Sequence, residues 1–207
     1  MPQRMFVAVV PPAEVVEDLA EFLAPRTGIT WIDSAQWHLT LAFLAAVPDY
    51  RIDDLAAELA PKLARQQRFR IRLTGAGAFP NPARAAALWL GVDDPAPLTV
   101  LAGTARRVAN SVGATPDGRA FVPHVTVARP RRPIEATKWY RILDTYRSPA
   151  WDVEAVELIE SHLGEGPRRR PRYVTAASFP LPPPERSDRP IGYRSENLSD
   201  IRSRLPE

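Results

Sequence analysis

The chain has 207 residues, of which 45% are hydrophobic, and it carries a formal net charge of +3. This apolar content can form the core of one large domain or of two small lobes, and the lack of cysteine excludes a disulfide framework, a thiolate zinc site and a cysteine nucleophile. The sequence pI of about 9.6 mildly favours an anionic partner. No apolar run is long enough for a membrane span or a signal peptide, so we expect a cytoplasmic protein without a membrane partner.

Apolar periodicity predicts alternating strands and helices along most of the chain. In the first half the predicted elements are a strand at 4–10, a helix from Pro12 to Leu23, a strand at 37–44, a helix at 52–63 and a strand at 68–74. In the second half they are a glycine-bearing turn at 74–84, a strand at 87–92, a helix at 98–112, a strand at 121–128, a helix at 134–146 and strands at 151–161 and 172–179. This order predicts an α+β fold with two similar αβ lobes around a cleft.

The composition changes at Pro182, where a proline-rich and polar segment begins. Such a segment has too little apolar surface to form a packed core. We therefore predict a folded domain at 1–181 and a disordered tail at 182–207.

One pattern occurs twice: His, apolar residue, Thr, apolar residue. WHLTLAFL at 37–44 contains His38 and Thr40, and PHVTVARP at 123–130 contains His124 and Thr126. In a strand, side chains two residues apart lie on the same face, about 6 to 7 Å apart. Two such matches among three histidines have a chance probability of roughly three in ten thousand, so the repeat predicts a site built from both copies.

Two imidazoles in one cleft can act as a general base and a general acid, because with ordinary pKa values one can be neutral and the other protonated near neutral pH. The threonine hydroxyls are suited to donate to phosphate oxygens. Together these groups could cleave a phosphodiester without a metal or other cofactor. A two-histidine zinc site is an alternative, although it needs a third protein ligand and threonine is a poor one.

Several segments together resemble the 2H phosphoesterases: HLTLAFL, HVTVAR, the opening RMFVAV, AGAFPNPARAAALWLGV and ELIESHLGEGPRRRPRYVTAASFPL. Within that superfamily the chain is most similar to the RNA 2′,3′-cyclic phosphodiesterases, also called 2′-5′ RNA ligases. The resemblance covers about residues 4–181. It implies a bilobal fold with mainly antiparallel sheets, in which each lobe supplies one motif to the central cleft.

The resemblance also implies an activity and a set of roles. The activity is hydrolysis of a terminal 2′,3′-cyclic phosphate on RNA to a 2′-phosphomonoester, with 2′-5′ ligation of RNA ends as a further capability. The implied roles are general acid for His38, general base for His124, and phosphate ligands for Thr40, Thr126 and Arg129. We expect a monomer without a cofactor, whose partner is RNA with a cyclic phosphate end, such as tRNA fragments.

Further residues are candidates for binding RNA. Strict alternation places Phe43 on the core face with Leu39 and Leu41, unless a bulge turns it toward a nucleobase. Arg84, Arg131 and Arg132 could bind RNA phosphates or could be solvated surface charges.

Two rival functions stay open. The first is hydrolysis of another phosphodiester, such as 2′-5′ oligoadenylate or a cyclic nucleotide. The second is a non-catalytic module that binds RNA ends.

Overall fold

A computed structural model describes residues 2–184, which form a seven-stranded sheet, a two-stranded sheet and four α-helices. In chain order the elements are β1 (Pro2–Val9), α1 (Ala13–Leu23), β2 (Leu39–Pro48), α2 (Ile52–Leu63), β3 (Phe69–Ile71), β4 (Leu73–Phe79), β5 (Ala87–Val92), α3 (Ala96–Ser111), β6 (Val125–Ala128), α4 (Thr137–Asp144), β7 (Trp151–Val153), β8 (Ala155–His162) and β9 (Arg172–Pro180). The predicted disordered tail lies almost entirely outside the described residues. At its predicted start, Pro182 accepts a backbone hydrogen bond from Arg68.

The large sheet has the strand order β4-β5-β6-β2-β1-β8-β9, and its neighbouring strands pair antiparallel. The two motif strands, β2 and β6, are adjacent at its centre, where the register pairs Leu39 with Val125. One half of the sheet is therefore β4-β5-β6 and the other is β2-β1-β8-β9, and each half contains one motif strand. This arrangement confirms the predicted two-lobed α+β fold.

The helices cover one face of this sheet with regular apolar stripes. Helix α1 buries Val15, Leu19 and Leu23, and α2 likewise buries every fourth residue, from Leu55 to Leu63. Helix α3 packs on β2, and α4 packs on β4. Burying each such leucine contributes about 1.5–3 kcal/mol. The buried residues of the helices belong to the main hydrophobic cluster, so the main core lies on the helix side. A smaller cluster of Phe6, Ala8 and Ile159 forms separately, which leaves the other face of the sheet available for a site.

Two predicted strands are each divided in the structure. The segment 68–74 separates into β3, which pairs with β7, and β4, which joins the large sheet. Its alternation is nevertheless as predicted, with Ile71 and Leu73 buried and Arg70 and Arg72 exposed. The predicted strand 151–161 is divided at Glu154 into β7 and β8. In both cases one apolar run serves two sheets, which periodicity along the chain does not reveal.

Other boundaries also differ from the predictions. The turn predicted at 74–84 is wrong in its first half, because β4 continues to Phe79 and the connection to β5 occupies only the next seven residues. Both motif histidines precede their strands, since β2 begins at Leu39 and β6 at Val125. Among the described residues no helix is both long and apolar enough to cross a bilayer.

Candidate active site

The register of the central strands brings the two motifs together. Leu39 and Val125 are paired and fully buried, so the residues on either side of them project from the opposite face of the sheet. Because the strands are antiparallel, His38 lies across from Thr126, and Thr40 lies across from His124. The site therefore has approximate two-fold symmetry, with one histidine and one threonine contributed by each half of the sheet.

Both imidazoles are held by the same local hydrogen bond. Nδ1 of His38 lies 2.8 Å from the carbonyl oxygen of Gln36, and Nδ1 of His124 lies 2.6 Å from that of Val122. Since a carbonyl oxygen can only accept, each Nδ1 carries the hydrogen. Each Nε2 is then the atom available for proton transfer to a substrate.

The segment that carries the Gln36 carbonyl is itself attached to the loop before β9. The Gln36 side-chain Nε2 donates to the Pro171 carbonyl oxygen at 2.8 Å. Next to it, the Arg170 guanidinium lies 3.3 Å from the Asp33 carboxylate. These contacts restrain the backbone that orients His38.

Each histidine also contacts two aromatic rings. His38 stacks on Phe6 with ring centroids 4.5 Å apart, and Tyr173 meets it edge-on at 5.4 Å. His124 lies 5.5 Å from Trp89 and 5.2 Å from Phe79. The inner rings come from β1 and β5, the strands next to the motif strands, and the outer rings come from β9 and β4. The approximate symmetry therefore extends to the aromatic surroundings.

Gly77 makes room for one of these rings. It pairs with Trp89 across β4 and β5, and a Cβ atom at this glycine would lie 1.9 Å from Cζ2 of the indole. Any side chain here would displace the ring that contacts His124. The glycine that suggested a turn is thus required inside a strand.

The pKa values of both histidines are lowered from the ordinary value. Burial is the main cause for each, and it lowers the pKa of His38 to about 4; the positive charge of Arg129 contributes in both cases. The hydrogen bonds from Nδ1 oppose the shift, whereas His124 adds to it at His38. Without a substrate both imidazoles are therefore neutral at neutral pH. This differs from the expectation that one of them is protonated beforehand, which assumed ordinary solvation.

The positive charge of Arg129 influences the histidines of both halves of the site. It directly follows β6 and is exposed. Its charge contributes to the lowered pKa values of His38 and His124, and it opposes the rise that burial causes in the pKa of Tyr173. The guanidinium therefore acts electrostatically on both imidazoles at once.

Phe43 is not on the core face that strict alternation predicts. Ala8 pairs with Thr40 but Val7 pairs with Ala42, so a bulge inserts an extra residue into β2. Beyond the bulge Phe43 faces the small cluster around Phe6, and the Arg4 guanidinium covers its ring at 4.4 Å. The bulge thus places Phe43 on the same face as the motifs.

Arg84, Arg131 and Arg132 lie on neighbouring segments of the chain. All three are exposed. Backbone hydrogen bonds link Ala85, which follows Arg84, to Ile134, which lies two residues after Arg132. The described residues form no ion pair with these three arginines. The surface that these three arginines share is therefore basic and open to an anionic ligand.

The aromatic rings around the histidines were not predicted from the sequence. Their signal was weak, because an aromatic residue in a predicted strand usually belongs to the core. The zinc alternative needs at least three protein ligands. In the described part of the chain no group of three or more His, Asp or Glu side chains could hold a metal ion.

The fold and the site define a two-lobed α+β protein in which each lobe contributes one His-x-Thr motif to a shared site. The chain belongs to the 2′-5′ RNA ligase superfamily, whose model matches residues 8–165. This result confirms the family predicted from the motifs.

Individual relatives agree with this assignment. The chain is 30% identical to an RNA 2′,3′-cyclic phosphodiesterase of Thermus thermophilus over 187 residues, which cover 86% of this chain and 90% of the relative. It is 28% identical to a protein of that name from Geobacillus stearothermophilus over 186 residues, which are 85% of this chain but only 56% of the relative. A crystal structure of E. coli LigT complexed with 3′-AMP has a TM-score of 0.71 at 28% identity, covering 87% of this chain and 99% of LigT.

Proposed function

We propose that this protein is an RNA 2′,3′-cyclic phosphodiesterase that hydrolyses a terminal cyclic phosphate to a 2′-phosphomonoester. The observation that carries the proposal is the pairing of the two motifs around Leu39 and Val125. It brings two imidazoles with free Nε2 atoms together with two hydroxyl donors. The relatives with this name and the LigT complex with 3′-AMP support the same chemistry.

The reaction requires one base and one acid on opposite sides of phosphorus. In this scheme Nε2 of His124 takes a proton from water, and the water oxygen forms a bond to phosphorus. The bond from phosphorus to the ribose 3′-oxygen breaks, and Nε2 of His38 gives its proton to that oxygen. The products are a 2′-phosphomonoester and a free 3′-hydroxyl. The resemblance to the family, rather than the symmetric geometry, supplies this assignment of acid and base.

The hydroxyls of Thr40 and Thr126 are proposed to donate to the non-bridging phosphate oxygens. Arg129 is proposed to stabilise the charge that develops on those oxygens in the transition state. The exposed cations Arg84, Arg131 and Arg132 would bind the RNA backbone. Phe43, on the same face as the motifs, is a candidate contact for a base.

Acid catalysis requires a protonated histidine, and in this proposal substrate binding causes that protonation. Burial and Arg129 keep both histidines neutral in the free protein, whereas an anionic phosphate beside an imidazole raises its pKa. Binding of the cyclic phosphate therefore favours protonation of the histidine that will act as the acid. Substrate binding and proton uptake are coupled in this proposal.

The same groups could catalyse the same displacement with an RNA hydroxyl as the nucleophile. With a 5′-hydroxyl of a second RNA in place of water, the oxygen of that hydroxyl would attack phosphorus after losing its proton to His124. Loss of the 3′-oxygen would then leave a 2′-5′ phosphodiester. Ligation is thus a proposed side reaction of the same site and needs no additional residue.

Product mapping tests the proposal most directly. RNA ending in 2′,3′-cyclic phosphate is incubated with the protein and excess chelator, and the position of the product phosphate is determined by ³¹P NMR. A 2′-phosphate is expected, and it should be lost in His38→Ala and His124→Ala. A 3′-phosphate product, or hydrolysis of 2′-5′ oligoadenylate instead, would contradict the proposed reaction. Binding of RNA ends without turnover in the unmodified protein would favour the non-catalytic module.

A further inference from the structure

The two-fold symmetry of the site does not determine how a cyclic phosphate is oriented between the two motifs. A cyclic phosphate has two ribose oxygens, and the two histidines are held by equivalent hydrogen bonds. Nothing in the His-x-Thr pairs themselves determines which oxygen faces which histidine. The choice must come from groups around the motifs that differ between the two halves.

The aromatic rings supply such a difference. Phe6 is only 3% exposed beneath His38, and Tyr173, the outer ring on that side, ends in a hydroxyl. On the opposite side Phe79 is purely apolar and 37% exposed. Phe79 is the one large exposed hydrophobic residue among the four rings that contact the histidines of the described chain.

Phe79 is also fixed in position from one side. Its ring lies 5.3 Å from Trp89 with a tilt of 35°, and it meets His124 at an angle of 80°. Its backbone carbonyl accepts a hydrogen bond from Ala86 across the end of the hairpin. A ring that is packed on one side and exposed on the other resembles the platforms on which proteins stack nucleobases.

The other candidate platform is less open. Phe43 lies in the small cluster with Phe6, and the Arg4 guanidinium already lies 4.4 Å above its ring. A base could stack there only if Arg4 moved away. Among the described residues no cation lies over the ring of Phe79, so its exposed surface is open to a ligand.

We infer that Phe79 is the stacking platform for the base of the nucleotide that carries the cyclic phosphate, an inference that rests on the proposed function. A single ribose separates that base from the phosphate. A phosphate at Nε2 of His124 therefore leaves the base close to the ring that borders the same histidine. Stacking tolerates any base, so the platform selects the orientation of the nucleotide rather than its identity.

This placement decides the regiochemistry. The base is attached to the ribose carbon next to the one that bears the 2′-oxygen. With the base on the His124 side, the 2′-oxygen faces His124 and the 3′-oxygen faces His38. The 3′-oxygen then leaves toward His38, and water approaches from the His124 side. Phe79 acts as a specificity-determining residue that assigns the acid role to one of two otherwise equivalent histidines.

The test compares two substrates that differ only in the terminal base. One is a short RNA ending in adenosine 2′,3′-cyclic phosphate, and the other ends in the same ribose cyclic phosphate with hydrogen in place of the base. The readout is the value of kcat/KM for the RNA with adenine divided by the value for the RNA without the base. Phe79→Ala should lower this ratio roughly 5- to 150-fold, and Phe79→Trp should restore it. Phe79→Leu, which keeps apolar volume without a π face, should also lower it and serves if the alanine variant does not fold.

Tyr50→Ala is the matched control, because Tyr50 is a 76% exposed aromatic residue that contacts neither histidine; its ratio should equal that of the unmodified protein. An equal loss on both substrates would overturn the inference, since Phe79 would then only support His124. A lower ratio in Phe43→Ala, with none in Phe79→Ala, would overturn it in favour of the other ring. If the unmodified protein hydrolyses neither substrate, the proposed function fails first.

Discussion

The lowered pKa of His38 predicts that the folded state loses stability in mild acid. The unfolded chain binds a proton at the ordinary histidine pKa of 6.5, whereas the folded chain resists protonation until about 4. Between these values the unfolded state holds more protons, so the free energy of unfolding falls as the pH falls. The stabilisation from neutral His38 is complete above pH 6.5 and is lost as the pH approaches 4.

The size of the effect follows from the shift. Each pKa unit corresponds to about 1.4 kcal/mol, so the full loss is about 3 kcal/mol. Between about pH 7.5 and about pH 5, the linkage relation gives a loss of about 2 kcal/mol from this one group. Such a loss is a large fraction of the stability of an ordinary domain, which is about 5–15 kcal/mol.

Urea unfolding of the unmodified protein and of His38→Gln at the two pH values measures this contribution. Carboxylates affect both proteins alike, so the difference between the two pH-dependent losses reports the contribution of His38, including its coupling to His124. The variant should lose about 2 kcal/mol less than the unmodified protein. Equal losses in the two proteins would show that the folded and unfolded pKa values of His38 are the same, contrary to this prediction.

Three further predictions concern activity. Because the pKa values of both motif histidines are lowered, the bell-shaped pH profile of kcat/KM should be centred below pH 6.5. The profile of kcat should be centred at a higher pH, because bound phosphate raises the pKa of an imidazole. A maximum of kcat/KM above about pH 7 would contradict this prediction. Gly77→Ala should displace Trp89 and lower both activity and the unfolding midpoint, whereas Gly118→Ala, whose Cβ meets nothing within 4 Å, should change neither. Arg129→Ala should lower kcat/KM about 10- to 150-fold through the loss of a charge-assisted hydrogen bond. It should also move the acid limb of the pH profile to higher pH, because a positive charge near both histidines is removed. A lower kcat/KM with an unchanged acid limb would mean that Arg129 does not influence the pKa values of the histidines.

Local patterns were sufficient to predict much of the fold. The stripe Leu55, Leu59 and Leu63 is a property of one helix, and the alternation of Arg70 and Ile71 is a property of one strand. The two motifs were found for the same reason, because each spans only a few residues. Even the two-lobed arrangement followed from the order of the predicted elements and from the repetition of the motif.

Long-range contacts account for the differences. Strand β4 contains Gly75 and Gly77, which by propensity suggest a turn, yet Trp89 from β5 occupies the space that a side chain at Gly77 would need. Phe43 changes face because the register between β1 and β2 shifts by one residue. Neither event is visible in a single segment, since a bulge or an empty Cβ position is defined only by the strand alongside.

The symmetry of the site and the asymmetry of its chemistry are compatible because the two motifs act only when substrate is present. Burial and the charge of Arg129 keep both histidines neutral although the hydrogen bonds from Nδ1 oppose this effect, so the free protein contains a potential base on each side but no acid. The phosphate introduces the charge that favours one proton, and the orientation of its ribose decides which imidazole meets the departing oxygen. Acid and base are therefore not fixed properties of His38 and His124 but are assigned when the nucleotide binds, which makes the groups that orient the ribose as important to the outcome as the motifs themselves.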